Sequence, residues 1–216
     1  MKIWPNMEQR TEEWFRARAG RPTASQFSRL LTPTGKDSSQ WDSYAIELCA
    51  QCIRPDEIGF EGNYHTDRGN DLEPEAREEF ARIMGFNGLG KPSVEQVGFV
   101  TRDDEVIGCS PDSLIMFQGK PIAGLEIKCL LGKFHAQMLI DKAMDDKYKP
   151  QVHGSMAVCD IPWYFMSYCP GMASFITLVQ PDAYTAKLSD ALDRFLVFYS
   201  ARRKEVMPML LGKEAA

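Results

Sequence analysis

Between Cys109 and Cys129 the chain reads CSPDSLIMFQGKPIAGLEIKC, two apolar, β-branched runs separated by a glycine-containing turn. Such a segment predicts an antiparallel hairpin, with its arms laid side by side in a sheet. The arms carry charge where a sheet centre is expected: Asp112 at the head of the first, Glu126 and Lys128 inside the second. Charges near a core cost free energy unless something offsets them. In a strand Glu126 and Lys128 share one face and Ile127 takes the other. Closing the hairpin brings Asp112 beside them, so two carboxylates and one ammonium converge.

Two readings of this trio stand side by side. In the first, the carboxylates repel each other until a hard cation such as Mg²⁺ sits between them, binding through carboxylate and water oxygens. A lysine beside that ion can orient or deprotonate a water and offset charge developing on phosphorus, which suits hydrolysis of a phosphodiester. In the second, Glu126 and Lys128 are an ion pair on one strand and Asp112 is a turn residue after Pro111. The apolar flanks IAGL and CLL favour the first, because a surface pair has no need of a buried strand. Glu73, in RGNDLEPEAREEF between Asp71 and Glu75, offers a third acid; its plain alternative is a solvated helix face.

Around the hairpin, periodicity predicts helices over about 8–18, closed by Gly20, over 40–53 and over 67–84, stopped by Gly85. Another should open at TASQ, where Thr23 and Gln26 have capping-box spacing, with TPTGKDSS a loop after it. The stretch from VEQVGFV to EIKC reads as one meander of strands. Helices follow at about 133–144 and Pro150–Cys159, then strands WYFMSYC and SFITLVQ, then a helix after Pro181 to about Lys204. This order predicts an α/β fold: a central mixed β-sheet flanked by helices. With 216 residues and no obvious linker, the chain reads as a single domain spanning 1–216. Its core lies at about 60–180, with N-terminal helices over 8–53 and a C-terminal helix over about 181–205 packed on it.

The net charge of −5 excludes a basic nucleic-acid coat, so a polyanion must meet a local cluster of Lys and Arg. Apolar runs stop short of membrane-spanning length, and MKIWPNMEQR lacks the apolar region of a secretory signal, which points to the cytoplasm and to no membrane partner. The six cysteines then read as reduced thiols. Only Cys49 and Cys52 have metal-type spacing, with no second pair to complete a zinc site, so they read as core. Trp14 and Trp163 read as core too, with a wedge at a DNA fork as the alternative.

Pro111-Asp112, then thirteen residues, then Glu126-Ile127-Lys128 matches the PD-(D/E)xK nuclease pattern. With RTEEWFRARAGRPTASQFSRLL, RGNDLEPEAREEF, GCSPDSLI, GLEIKC and KPQVHGSMAVCDIPWYFMSYCP in that order, the chain resembles the lambda-type exonucleases, or YqaJ-like viral recombinases, from about residue 9 to 205. The resemblance implies a restriction-endonuclease-like core and a two-metal enzyme using Mg²⁺, with Mn²⁺ able to substitute. Such an enzyme digests one strand of linear double-stranded DNA from its 5′ end to 5′-mononucleotides. It leaves a 3′ single-stranded overhang for single-strand-annealing recombination.

On this sequence the resemblance makes Asp112, Glu126 and the backbone carbonyl of Ile127 metal ligands, with Lys128 placing or activating the water. Glu73, at the GxxxE position, serves the second metal, and Gln151 supports the group. Arg18, Ser25 and Ser110 match a pocket for the terminal 5′-phosphate. An arginine fork takes phosphate bidentately, and Ser25 lies in the first turn of a predicted helix. The family further implies a homotrimer ring around double-stranded DNA ends and a single-strand annealing protein as partner. Channel contacts could come from Arg29, Lys36, Arg54, Lys133, Lys142, Lys147 and Lys149. His153, Gly154 and the loop LTPTGKDSSQ depart from the lambda enzyme, and no iron–sulfur cysteine cluster lies near the C-terminus. The alternatives are a structure- or site-specific endonuclease of the same fold, and a non-catalytic module that binds DNA ends.

Overall fold

The hairpin forms as its residues predict. In the computed structural model, which describes residues 1–4, 7–58 and 64–213 (of 64–67 the backbone alone), strand β5 (Ser113–Phe117) pairs antiparallel with β6 (Lys120–Cys129). The connecting Gln118 and Gly119 have φ of +50° and +75°, the left-handed pair that a two-residue type I′ turn needs. Ser113 faces Leu125 and Ile115 faces Ala123, with a bulge between Ile115 and Met116.

The hairpin is the middle of a five-stranded sheet. Its order runs from β2 (Ser93–Glu95) through β5 and β6 to β7 (Trp163–Tyr168) and β8 (Phe175–Val179). Only β6 and β7 run parallel, so the sheet is mixed. A parallel pair needs a crossover connection, here built from α4 (Gly132–Asp141) and α5 (Lys149–Cys159). That crossover carries α5 back across the sheet next to Glu126.

Each sheet face buries a different set of side chains. Ala76 and Phe80 of α3 (Tyr64–Met84) pack on Ile115, Ala123, Leu125, Ile127 and Met166. The opposite face joins the main core, where Leu114, Trp163 and Phe165 meet Val152 and Met156 of α5. That core continues into α2 (Trp41–Ile53) through Tyr44 and Leu48, and into α6 (Ala183–Leu210) through Leu188 and Phe195. Gly154 is needed here, since a Cβ would stand 2.2 Å from the Phe27 ring. His153 beside it is buried and bonded to Thr185 Oγ1 at 2.7 Å.

Three expectations are corrected. The meander splits: β3 (Phe99–Thr101) and β4 (Gly108–Cys109) leave the main sheet and join an unforeseen β1 (Lys2–Trp4) in a second sheet ordered β1-β3-β4. The apolar run of β3 is wholly buried, and burial on both faces erases the alternation that would have told the sheets apart. The capping box at Thr23 does not form. Residues Ala24–Arg29 make a six-residue 3₁₀ helix, and Thr23 Oγ1 accepts from Arg18 instead. The first helix, α1 (Glu12–Arg18), starts later than expected because Thr11 caps it by accepting from the Trp14 N–H.

Candidate active site

A cavity of about 400 Å³ opens where α3, the head of β5 and the end of β6 meet. Glu73, Asp112, Ile127 and Lys128 all line it. Glu126 lies just behind, 2% exposed, on the α5 side of the sheet. Its Oε1 accepts from Lys128 Nζ at 2.5 Å and from Gln151 Nε2 at 2.6 Å. Asp112 is anchored at both ends. Its N–H donates to Leu125 O at 3.1 Å, and its Oδ2 accepts from the Ile127 N–H. The pairing of β5 with β6 therefore sets the distance between the acids.

Glu73 reaches the cavity from α3 and is held by Arg77, one turn later, and by Arg10 at 3.4 Å. Arg77 also donates to Ser113 Oγ at 2.9 Å and to Asp112 O at 3.2 Å. One guanidinium thus ties the helix acid to the strand acid. Arg10 has a φ of +70°, a left-handed value uncommon for a residue with a Cβ. Sequence reasoning missed both arginines, as well as Tyr148 and Arg68 in the same cavity wall.

The electrostatics of the site are set by burial first and by its neighbouring charges second. Burial, then the charges of Glu126 and Glu73, hold the Asp112 carboxyl well above the usual carboxylate range. Burial works against the Lys128 ammonium, but Glu126 and Asp112 outweigh it and the net shift is upward. Lys128 therefore stands as a cation. Cys129, also on the wall, is pushed up to about 12 by burial and by Glu73 and Asp112, so it is a thiol and a poor metal ligand.

Among the described residues no group of three His, Cys, Asp or Glu side chains is arranged to hold a metal ion as it stands. The reason is visible in the pairing, since Glu126 is turned to Lys128 and Gln151, and Glu73 to its arginines. The donor chemistry nonetheless fits a hard divalent cation: the carboxylates of Glu73 and Asp112 line a cavity with room for water.

A second cluster lies beyond Ser110, two residues before Asp112. Arg18 donates to Ser110 Oγ at 2.8 Å, and to Thr23 Oγ1 and Ser25 Oγ at 3.2 Å each. Its guanidinium lies 4.2 Å from the Trp14 ring centroid, and Trp14 Nε1 in turn donates to Ser110 Oγ at 3.0 Å. Trp14 is half-buried: it packs on the cluster of Met7, Ala17 and Phe99, as a core reading expects, and also lines a second cavity of about 620 Å³. Trp163 is fully buried. Burial lowers Arg18 to about 10, which still leaves it charged at neutral pH. Among the described residues Arg18 enters no ion pair, and its Nε is buried without a partner. Ser25 joins this cluster through its hydroxyl and not through a helix dipole, since a six-residue 3₁₀ helix is too short to act as an anion site.

The candidate channel cations divide. Lys147 lines the first cavity while paired with Asp145 at 3.0 Å, and Lys133 stands over Phe134 on its wall. Arg54 lines the second cavity but is paired with Asp56 and Glu57. Arg29 pairs with Glu47, and Lys149 lies over Tyr184. Lys36 and Lys142 are exposed.

The model of the YqaJ-like viral recombinase domain matches residues 13–162. The chain is similar to the alkaline exonuclease LHK-Exo from Laribacter hongkongensis, at 27% identity over 94% of this chain and 99% of that one, with a TM-score of 0.76. The same figures hold for that enzyme in complex with dAMP. A phage-related exonuclease from Haemophilus somnus 129PT shares the fold at 16% identity over 89% and 96% of the two chains, with a TM-score of 0.57. Among curated proteins, none matches. The architecture is of the restriction-endonuclease-like kind.

Proposed function

Because the chain belongs to the YqaJ-like viral recombinase family, we propose that it is a Mg²⁺-dependent exonuclease that digests one strand of linear double-stranded DNA in the 5′-to-3′ direction. The observation that carries this reading is the meeting of Glu73, Asp112, Ile127 and Lys128 in one cavity, with Glu126 and Gln151 directly behind. A surface ion pair has no need of such convergence.

Asp112, Glu126, the Ile127 carbonyl and Glu73 would hold two divalent cations, Mg²⁺ or Mn²⁺, which supply Lewis-acid activation of water and stabilisation of the departing oxygen. The protein's own groups do the rest. Gln151 fixes the orientation of Glu126. Lys128, an ammonium, holds the attacking water through its N–H donors and offsets charge developing on phosphorus. Arg18, with Ser25 and Ser110, takes the terminal 5′-phosphate, the anion its unpaired guanidinium lacks. The new bond joins the water oxygen to phosphorus, and the bond from phosphorus to the 3′ oxygen of the end nucleotide breaks. A 5′-mononucleotide leaves, consistent with a relative that binds dAMP. The strand that remains again ends in a 5′-phosphate, which is the ligand the Arg18 pocket requires.

Three subunits in a ring would let an acidic chain enclose DNA with basic residues facing only the channel, and the 3′ overhang is the substrate of an annealing protein. Linear duplex labelled at either end, with and without Mg²⁺, tests the reading. Nucleotides should leave from the 5′ end only, only with metal, and not from covalently closed circles. Asp112→Asn should lower the rate by ~100-fold or more. Cutting of closed circles would instead assign an endonuclease.

A further inference from the structure

Phe134 stands in the first turn of α4, on the wall of the cavity that holds Asp112, and is 48% exposed. The other aromatic on that wall, Tyr148, already leans on Phe165, with ring centroids 5.3 Å apart. Phe134 stacks on no other ring among the described residues, and its neighbours are cations. Lys133 Nζ lies 4.6 Å from its centroid, and Lys147 Nζ lies 5.5 Å from it and 4.9 Å from Tyr148. An isolated exposed apolar side chain is ordinary on a protein surface. A half-exposed ring flanked by two ammonium groups, on the wall of the cavity that Glu73 and Asp112 also line, is a more specific arrangement.

A nuclease that removes nucleotides of every sequence cannot hold them by the edges of their bases, because those edges differ. Every base has a π-face, so an aromatic platform with cations for the neighbouring phosphates holds any of them. We propose that Phe134 is a positioning residue on which the base of the nucleotide being released stacks, with Lys133 and Lys147 taking the adjacent phosphates. This rests on the nuclease reading above. The platform orients the end nucleotide so that its 3′ phosphodiester lies over Asp112, and the terminal phosphate is left to Arg18.

The test compares two 5′-phosphorylated linear duplexes in single turnover, one with an intact end nucleotide and one whose end unit is a tetrahydrofuran abasic residue. On the intact end Phe134→Ala should slow release by roughly tenfold, and Phe134→Trp should restore it. On the abasic end, where there is no base to stack, wild type and Phe134→Ala should release the unit at the same rate. A purely structural role for Phe134 would slow both ends by the same factor, and that result overturns the proposal. So does an intact end released at wild-type rate by Phe134→Ala. A wild-type chain that degrades no DNA would overturn the nuclease reading and the platform with it, whereas an active wild type indifferent to the substitution overturns the platform alone.

Discussion

Glu126 and Lys128, two residues apart on one strand, meet at 2.5 Å with the carboxylate 2% exposed, and Gln151 donates to the same oxygen. Removing one partner of a buried pair leaves the other charge uncompensated. Lys128→Ala in chelator should therefore lower the unfolding free energy by about 3 kcal/mol, near the low end for broken buried pairs because Gln151 remains. Adding Glu126→Gln should recover most of that loss. Urea unfolding of the two single variants and the double variant measures it; equal loss in Lys128→Ala and the double variant would show that the pair is not what holds this strand.

Arg18 is placed by three hydroxyls and one indole ring rather than by a carboxylate. Arg18→Lys keeps a charge but loses the planar fork. Both Arg18→Lys and Arg18→Ala should reduce the preference for 5′-phosphate over 5′-hydroxyl ends by about 10- to 100-fold, the worth of charge-assisted hydrogen bonds. Initial rates on the two kinds of end check this. An unchanged ratio would remove Arg18 from the phosphate pocket.

Arg77 spans Glu73, Ser113 and the Asp112 carbonyl. Arg77→Gln should cost about 2–3 kcal/mol of stability, somewhat less than a fully buried pair, since both side chains retain some exposure. It should also weaken the response to Mg²⁺, because Glu73 loses its orientation. Thermal melts and a Mg²⁺ titration of activity report the two effects separately. A variant with normal metal response would make Arg77 a structural brace alone.

His153 sets a pH dependence. Burial, with Lys149 adding to it, lowers its pKa from 6.5, while the Asp182 charge opposes the shift. The folded state thus binds a proton less readily than the unfolded one. The stability this group contributes is fully present above about pH 6.5 and is lost as pH falls through the depressed folded-state value. Melts from pH 5 to 8 should show wild type losing more than His153→Gln on the acid side. Parallel curves would exclude His153 as the cause.

Much of the architecture was legible because its signals are local. The hairpin could be read from apolar runs and one glycine-containing turn. The helix ends at Gly20 and Gly85 could be read because the left-handed φ values of +70° and +66° favour glycine. Glu126 and Lys128 were legible as partners since strand periodicity alone puts i and i+2 on one face. That Trp14 also carries a guanidinium over its ring was not, because a core-packing aromatic on a helix gives no local sign of which charge will meet it. Nor was the split into two sheets, which depends on β1 arriving from the far end of the chain to pair with β3.

By itself the sequence determined which residue types the chemistry has available and which stretches are strands or helices, since propensity, turn stereochemistry and periodicity act within a few residues. Only the tertiary structure decided that Arg77 and Arg10 hold Glu73, and that Phe134 stands exposed beside Lys133 and Lys147. Those contacts follow from the parallel pairing of β6 with β7 and from the packing of α3 on the sheet. Burial and charge there join residues tens of positions apart, and no local pattern records such a meeting.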